Sequence, residues 1–337
     1  MIDFRSDTVT RPTLKMKEAM FQAEVGDDVY QDDPTVIELE KRAAKMTGFE
    51  AGLFVVSGTM GNQLAIMSQT QRGDEMIIGE DHHILKYEVG AMAVLSSVVV
   101  KSVPGFIKEP SQITQSIRAT NIHFPPTTLV CLENALSNGQ VIPPQQMLTL
   151  IQTAKAHDLA VHVDGARIFN SAIACQCEVA DFVKDADSMM FCLSKGLAAP
   201  IGSILVGSQK LIDKARKNRK ILGGGWRQAG VIAASGIVAL NDMVERLKED
   251  HDHAQHLAAQ LNTLSDLYVF KDQLDINMVF FKFKKDIDHQ HFVAAAKANG
   301  ILINGPNADV YRLMTHKDIN HDDLNQCFSF IASYIKN

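Results

Sequence analysis

A lysine, an aspartate and a turn of small residues each stand where an apolar run stops. Lys195 follows Met189-Met190-Phe191-Cys192-Leu193 and one serine, and Asp164 ends Leu159-Ala160-Val161-His162-Val163. Ser57-Gly58-Thr59-Met60-Gly61-Asn62 follows the run Ala51–Val56. Short apolar runs closed by glycine read as strands buried on both faces of a parallel sheet. The carboxyl ends of such strands form the ligand crevice of an open α/β sheet. Desolvation in that crevice favours a lysine's neutral amine, the form that attacks a carbonyl. A small-residue turn at a helix start offers backbone N–H groups to an anion. Taken alone, Lys195 reads as a surface lysine at a strand end, and the turn as a tight connection without a ligand. The ordered set meets three requirements for holding pyridoxal phosphate. Lys195 forms the Schiff base, Asp164 keeps the pyridine nitrogen protonated, and Ser57-Gly58-Thr59 takes the phosphate. The turn is neither a Walker loop nor a G-x-G-x-x-G motif.

The elements that must position these residues alternate. Pro12 suits the first turn of a short helix through Phe21, and Asp33-Pro34-Thr35 opens a helix that ends at Gly48. Strands are expected at 51–56, 76–79, 94–100, 128–132, 159–163, 187–192 and 201–206, with helices from Gln63 and over Pro144–His157. A long helix from Gln228 to about Lys248 and another through Leu261 follow. Beyond residue 250 the pattern becomes α+β, with strands at 278–283, 301–303 and 310–314 and helices at 289–299 and the C-terminus. The expected architecture is α/β: a large domain with a mostly parallel, doubly wound sheet and a small α+β C-terminal domain. The boundaries fall at 1–33 for an N-terminal arm with the first helix, 34–249 for the large domain and 250–337 for the small one.

Composition narrows the function classes. The formal net charge of −6 argues against nucleic acid as a partner. No run of 18 apolar residues predicts a membrane span. The N-terminus lacks the apolar segment of a signal peptide, so a cytoplasmic location is expected. Five cysteines (131, 175, 177, 192, 327), with no C-x-x-C pair, read as reduced thiols. The basic run Lys214–Lys220 reads first as a solvated helix face, otherwise as a contact for an anion or a neighbouring subunit. Asp250-His251-Asp252-His253 with His256 invites a zinc reading. Those side chains do not share one helical face, and no metal is expected.

Ordered blocks along the whole chain carry a resemblance. They are Asp3–Pro12, Gly26–Tyr30, Ser57-Gly58-Thr59, His162–Asn170, Cys192–Gly196, Gly223–Gln228 and Tyr311–His316. With them the chain resembles the low-specificity L-threonine aldolases of the aspartate aminotransferase-like, fold-type I pyridoxal-phosphate enzymes. The resemblance implies a carbon–carbon lyase that cleaves L-threonine, L-allo-threonine and related β-hydroxy-α-amino acids to glycine and an aldehyde. It implies Lys195 as the cofactor lysine, Asp164 as the ring-nitrogen partner, and Gly58 and Thr59 as phosphate ligands, with Arg227 reaching the phosphate of a neighbouring subunit. It implies Ser6, Arg167 and Arg312 as the clamp on the substrate carboxylate, and His83 as the ring-stacking histidine. His83 and His123 are the two candidates for the group that takes the hydroxyl proton, with Glu88 a neighbour. The implied assembly is a homo-oligomer, a symmetric dimer or a tetramer built from two dimers.

Three departures from the family pattern stand out. Glu133-Asn134-Ala135-Leu136-Ser137-Asn138-Gly139 replaces a shorter Glu-Asn-Thr-His-Asn, Ala198 takes the place of a glycine in Gly-Leu-Gly, and Gln31 stands where glycine is frequent. Two rival functions remain at this point. One is another pyridoxal-phosphate reaction on the same scaffold, β-elimination of a substituted amino acid or racemisation. The other is a non-catalytic cofactor-binding or interaction module, against which Lys195, Asp164, Arg167 and Arg312 all argue.

Overall fold

Twelve strands organise the computed structural model, which describes residues 1–336: β1 (Ile2–Asp3), β2 (Ala51–Val55), β3 (Glu75–Gly79), β4 (Val99–Val103), β5 (Thr127–Glu133), β6 (Ala160–Asp164), β7 (Ser188–Cys192), β8 (Ser203–Gly207), β9 (Leu267–Val269), β10 (Met278–Phe283), β11 (Ile301–Leu302) and β12 (Tyr311–Met314). Seven of them form one sheet in the order β2-β8-β7-β6-β5-β3-β4. Only β8 runs against its neighbours, and the pairs from β7 to β4 are parallel. Helices cover both faces, so the central strands are buried and mostly apolar, as a doubly wound sheet requires. The carboxyl ends of β5, β6 and β7 lie side by side, with Glu133 paired to Asp164 and Asp164 to Met190.

Phe191, on the strand that leads to Lys195, is fully buried and meets Phe169 edge-on at 5.2 Å. Burying a ring of this size stabilises by roughly 2–3 kcal/mol. The contact fixes the helix Ile168–Cys175, which starts just after Arg167, against the lysine strand. A second core gathers Phe4, Leu257, Phe281, Phe292 and Tyr311 around the β12-β10-β9 sheet. The helix Leu247–Leu261 joins the two cores: Leu247 packs in the first, Ala254 and Leu257 in the second.

The N-terminal arm is not a free segment. β1 pairs with β11, and Phe4 is fully buried in the second core. Residues 14–21 then form a helix whose Thr13 hydroxyl accepts from Met16 N–H at 3.2 Å. Asp33 caps the helix Pro34–Thr47 by accepting from Thr35 and Val36 N–H at 3.1 and 3.0 Å, and it also accepts from Gly230 N–H at 2.8 Å. One carboxylate thus ties two helix starts together.

Several expected boundaries are corrected. The helix after β2 begins at Gly58, five residues before Gln63, because the Ser57 hydroxyl caps it through Met60 N–H. The run read as a strand at 94–100 divides. Ala91–Ser96 is helical, Ser97 turns the chain at φ 55, and the β-branched stretch from Val99 forms β4. The long helix after Gln228 breaks into Gly230–Val238, a wide turn at Ala239–Met243 and the Leu247–Leu261 helix. The basic run is not simply a solvated face. Arg219 is 2% exposed, donates to the Phe54 carbonyl at 2.6 Å and pairs with Asp28, while Arg216 pairs with Glu40 at 2.7 Å. No helix among the described residues is long and apolar enough to cross a membrane.

Candidate active site

The helix Gly58–Gln69 begins at the carboxyl edge of the sheet. Its cap uses Met60 N–H, and Gly61 N–H bonds the Ser57 carbonyl, so the N–H groups of Gly58 and Thr59 stay open toward an anion. A Cβ on Gly58 would come within 3.0 Å of Cys192 Sγ and 3.1 Å of Met190 Cε, so glycine is what lets this turn sit against β7.

One turn further on, Asn62 is fully buried. Its amide nitrogen donates to Asp164 Oδ2 and to Glu88 Oε1, both at 2.8 Å. Asp164 Oδ1 accepts from Ala166 N–H at 3.1 Å. Glu88 also accepts from Gln63 at 2.7 Å and meets His83 Nδ1 at 3.2 Å. The Glu88 contact is the main reason the His83 imidazole titrates above its ordinary range. Ligand atoms of His83, Glu88 and Asp164 lie within 4.8 Å of one another. On the neighbouring strand Glu133 accepts from His83 N–H at 2.6 Å and Ser137 N–H at 2.8 Å. Burial, with Asp164 alongside, pushes the Glu133 carboxyl up to about 7.

Lys195 is half-buried in the loop beyond β7. Its carbonyl accepts from Ala198 N–H at 2.8 Å and from the Thr10 hydroxyl at 2.9 Å, so the N-terminal arm holds the lysine loop in place. Asp7 is fully buried and takes Arg167 in a two-pronged ion pair, at 2.8 Å from Nε and 2.6 Å from Nη2. Burial would raise the Asp7 carboxyl, but the Arg167 guanidinium, with Lys195 and Arg312 nearby, holds it down at about 2. Arg312, on β12, is lowered by burial and then by Arg167. It forms no ion pair among the described residues. Asp7 is thus closed on Arg167, and Arg312 feels its charge without contacting it. Ser6 caps the short turn Asp7–Val9 by accepting from Thr8 N–H at 3.2 Å, which places it one residue before Asp7.

Gly58, Thr59, Asp164, Arg167, Lys195, His83 and Arg312 thus belong to one constellation. His123 and Arg227 do not join it within the chain. His123 is exposed, in the turn before β5. Arg227 is 62% exposed and reaches Asp27 at 3.3 Å. The histidines at 251, 253 and 256 do not converge on a common point: His251 Nε2 lies 3.2 Å from the Asn170 amide, and the rings of His253 and His256 both face His321.

The beta-eliminating lyase family model matches residues 3–284. A low specificity L-threonine aldolase of Escherichia coli (strain K12) is 41% identical over 330 residues, 96% of each chain. The chain belongs to this family, in its low-specificity L-threonine aldolase branch. A putative L-allo-threonine aldolase from Listeria monocytogenes shares the fold at TM-score 0.81 with 17% identity, over 98% of this chain and 96% of that one. A structure of SPT (serine palmitoyltransferase) with PLP does so at TM-score 0.79 with 15% identity, over 99% of this chain and 87% of that one. The fold is that of the fold-type I pyridoxal-phosphate enzymes, and the constellation fits the cofactor. It offers open N–H groups for a phosphate, an acceptor carboxylate fixed by two donors for a ring nitrogen, and a lysine beyond the next strand end.

The sequence assigns no role to Asn62, His162 or Asp7; it names Glu133 only at the head of the altered segment, and Glu88 only as a neighbour. Asp7 lay inside a quoted block, and a carboxylate next to Ser6 was the available signal. Glu133 ends an apolar strand as Asp164 does, and that was its signal; Asn62 gave none, because a buried amide has no spacing signature.

Proposed function

We propose that this chain cleaves L-threonine, L-allo-threonine and related β-hydroxy-α-amino acids to glycine and an aldehyde, with pyridoxal phosphate carried on Lys195. The observation that carries the reading is the charge balance beside Lys195. Asp7 is closed on Arg167, and Arg312 has no ion-pair partner among the described residues, so a net positive charge remains where the α-carboxylate of an amino acid would sit. The cofactor, when bound, supplies an electron sink for the electrons of the breaking Cα–Cβ bond.

The chain's own residues do the rest. Asp164 accepts the N–H of the ring nitrogen, and Gly58 and Thr59 donate to the phosphate. Arg312 takes the carboxylate, with Arg167 held rigid by Asp7 and Ser6 beside them, and this fixes which bond at Cα is aligned for cleavage. His83 donates Nδ1–H to Glu88, which leaves Nε2 free to take the proton of the β-hydroxyl. That pairing favours His83 over His123, whose ring lies on the surface of the single chain.

A second copy completes the site in this reading. His123 and Arg227 reach it only across a subunit boundary, so the unit is at least a symmetric dimer. The chain divides into an arm (1–33), a large domain (34–249) and a small one (250–337). Separate cores around Phe191 and Phe281 support the split, with the Leu247–Leu261 helix bridging it.

Aldehyde release from L-threonine, L-allo-threonine and phenylserine tests the activity, with glycine as the co-product. Ammonia and the 2-oxo acid of unchanged carbon chain (2-oxobutanoate from threonine, phenylpyruvate from phenylserine) in place of glycine and aldehyde would replace it with β-elimination.

A further inference from the structure

The helix that presents Gly58 and Thr59 also carries Asn62 and Gln69, seven residues apart and on one face against β6 and β7. Between them lie His162 of β6 and Ser188 of β7, register partners and both fully buried. Gln69 Nε2 is 2.8 Å from Ser188 Oγ, and Ser188 Oγ is 2.8 Å from His162 Nδ1. His162 Nε2 is 3.0 Å from Asn62 Oδ1, and Asn62 Nδ2 is 2.8 Å from Asp164 Oδ2.

The direction of every bond is fixed from its ends. Asn62 faces two carboxylates, so the atom toward them is the NH₂ and the atom toward His162 is the oxygen. His162 must then donate from Nε2. Burial holds its imidazole down to about 4, so it is neutral near pH 7 and Nδ1 is an acceptor. Ser188 O–H fills that acceptor. At the far end Gln69 Nε2 also lies 3.1 Å from the Ala65 carbonyl, which requires an NH₂ there, so Gln69 donates to Ser188. All donors point one way, from Gln69 at the edge of the sheet to Asp164 in the site.

We propose that Asn62 and His162, backed by Ser188 and Gln69, are positioning residues whose one-way hydrogen-bond relay holds Asp164 as an acceptor aimed at the cofactor's ring nitrogen. Because the same Asn62 amide also grips Glu88, the relay sets the ring-nitrogen partner and the His83–Glu88 pair together. The proposal rests on the reading of Lys195 and Asp164 as the cofactor site. The titratable groups that face Asp164 are Glu133, Cys131, His82, His83, Glu88 and His162. The relay supplies a neutral donor among them. Without it, the carboxylate holds the shared proton more tightly on its own oxygen, and the ring nitrogen becomes less positive. A less positive ring raises the pH at which the visible band of the lysine-bound cofactor titrates.

The experiment is a pH titration of that band, with cofactor affinity measured by adding pyridoxal phosphate to the cofactor-free protein. In Asn62→Ala and His162→Phe the midpoint should rise by roughly one unit and cofactor affinity fall about tenfold, the size of one charge-assisted hydrogen bond. His162→Gln keeps a donor for Asn62 and should stay near the wild type. Ser188→Ala, the mildest change in volume, should move the midpoint the same way by a smaller step, and it carries the test where His162→Phe does not fold. An unmoved midpoint in Asn62→Ala, or equal shifts in His162→Gln and His162→Phe, overturns the relay. A wild-type protein with no visible band, or a band that survives in Lys195→Ala, overturns the cofactor reading instead.

Discussion

The two halves of the site are built differently. On the sheet side Asp164, Asn62 and Glu88 are buried, each with two or more polar partners, and the buried Arg167–Asp7 pair is closed on itself. On the outer side His123 is exposed, and Arg227 holds only a loose, 62% exposed contact to Asp27. The sheet half is preorganised by one chain. His123 and Arg227 lie on the surface of the chain, and the dimer proposed above is what would bring them to the site. Exposed apolar side chains lie in the same region, Tyr30 at 79% and Ile221 at 74%.

Lys195→Ala is the strongest test of the sheet half. It should remove the visible band and nearly all turnover, while the phosphate turn still binds the cofactor without a covalent link. Normal turnover in this variant would move the chemistry elsewhere.

Asp7→Asn comes next, because it leaves Arg167 buried without its partner, a change that costs about 3–5 kcal/mol. The pH dependence carries the sign. The folded-state carboxyl, at about 2, lies below its unfolded value of 3.8. Its contribution is therefore complete above pH 3.8 and lost as pH falls toward 2, an amount of roughly 2 kcal/mol. Urea unfolding from pH 5 to 2 should show this loss in the wild type, with a shallower slope in the variant. Parallel slopes would mean that the pair does not hold the arm to the Arg167 helix.

Arg312→Leu should lower kcat/KM for threonine by about 2–3 kcal/mol, roughly 30- to 150-fold, with the visible band intact. An unchanged kcat/KM would place the carboxylate at another cation. For the outer half, light scattering should give a multiple of the 37.1 kDa chain. Arg227→Ala should weaken the cofactor by about tenfold, one exposed phosphate contact. A fully active monomer would erase the contrast between the halves.

The same contrast explains what was legible in the sequence. Lys195 and Asp164 could be read because apolar strands announce their ends, and Gly58 because small-residue turns announce helix starts. The sheet followed from alternating β and α patterns, whereas the Val94–Val100 strand failed because Ala91–Leu95 is as apolar as a strand yet follows a glycine that starts a helix turn. Asn62, His162, Ser188 and Gln69 are polar residues inside apolar-patterned elements. Their meaning is their partners, which lie up to 119 positions away in the chain. The docking of the arm has no local pattern either, because its two strand residues pair with β11, almost 300 residues later.

The smallest effect concerns the two departures from glycine. Ala198 has φ 61 and Gln31 has φ 59, both in the left-handed region where a Cβ crowds the following carbonyl. Both positions at which the sequence departs from the glycine of the pattern it resembles are therefore positions where this backbone takes positive φ. Ala198 is fully buried, and its N–H holds the Lys195 carbonyl, so the strain sits in the preorganised half. Gln31 is exposed beside Tyr30, in the outer half. Relief of left-handed strain is worth about 1–2 kcal/mol, and glycine's greater freedom in the unfolded chain takes back about 0.4–1. Ala198→Gly and Gln31→Gly should each raise stability by roughly 0.5–1 kcal/mol, read from the urea midpoint. Their effects on turnover should differ. The Ala198 change loosens the loop that carries Lys195 and should lower kcat at unchanged KM, whereas the Gln31 change should leave kcat alone. Equal kcat in both variants would show that the lysine loop is held by Thr10 alone, and that the strain at Ala198 has no part in positioning the amine.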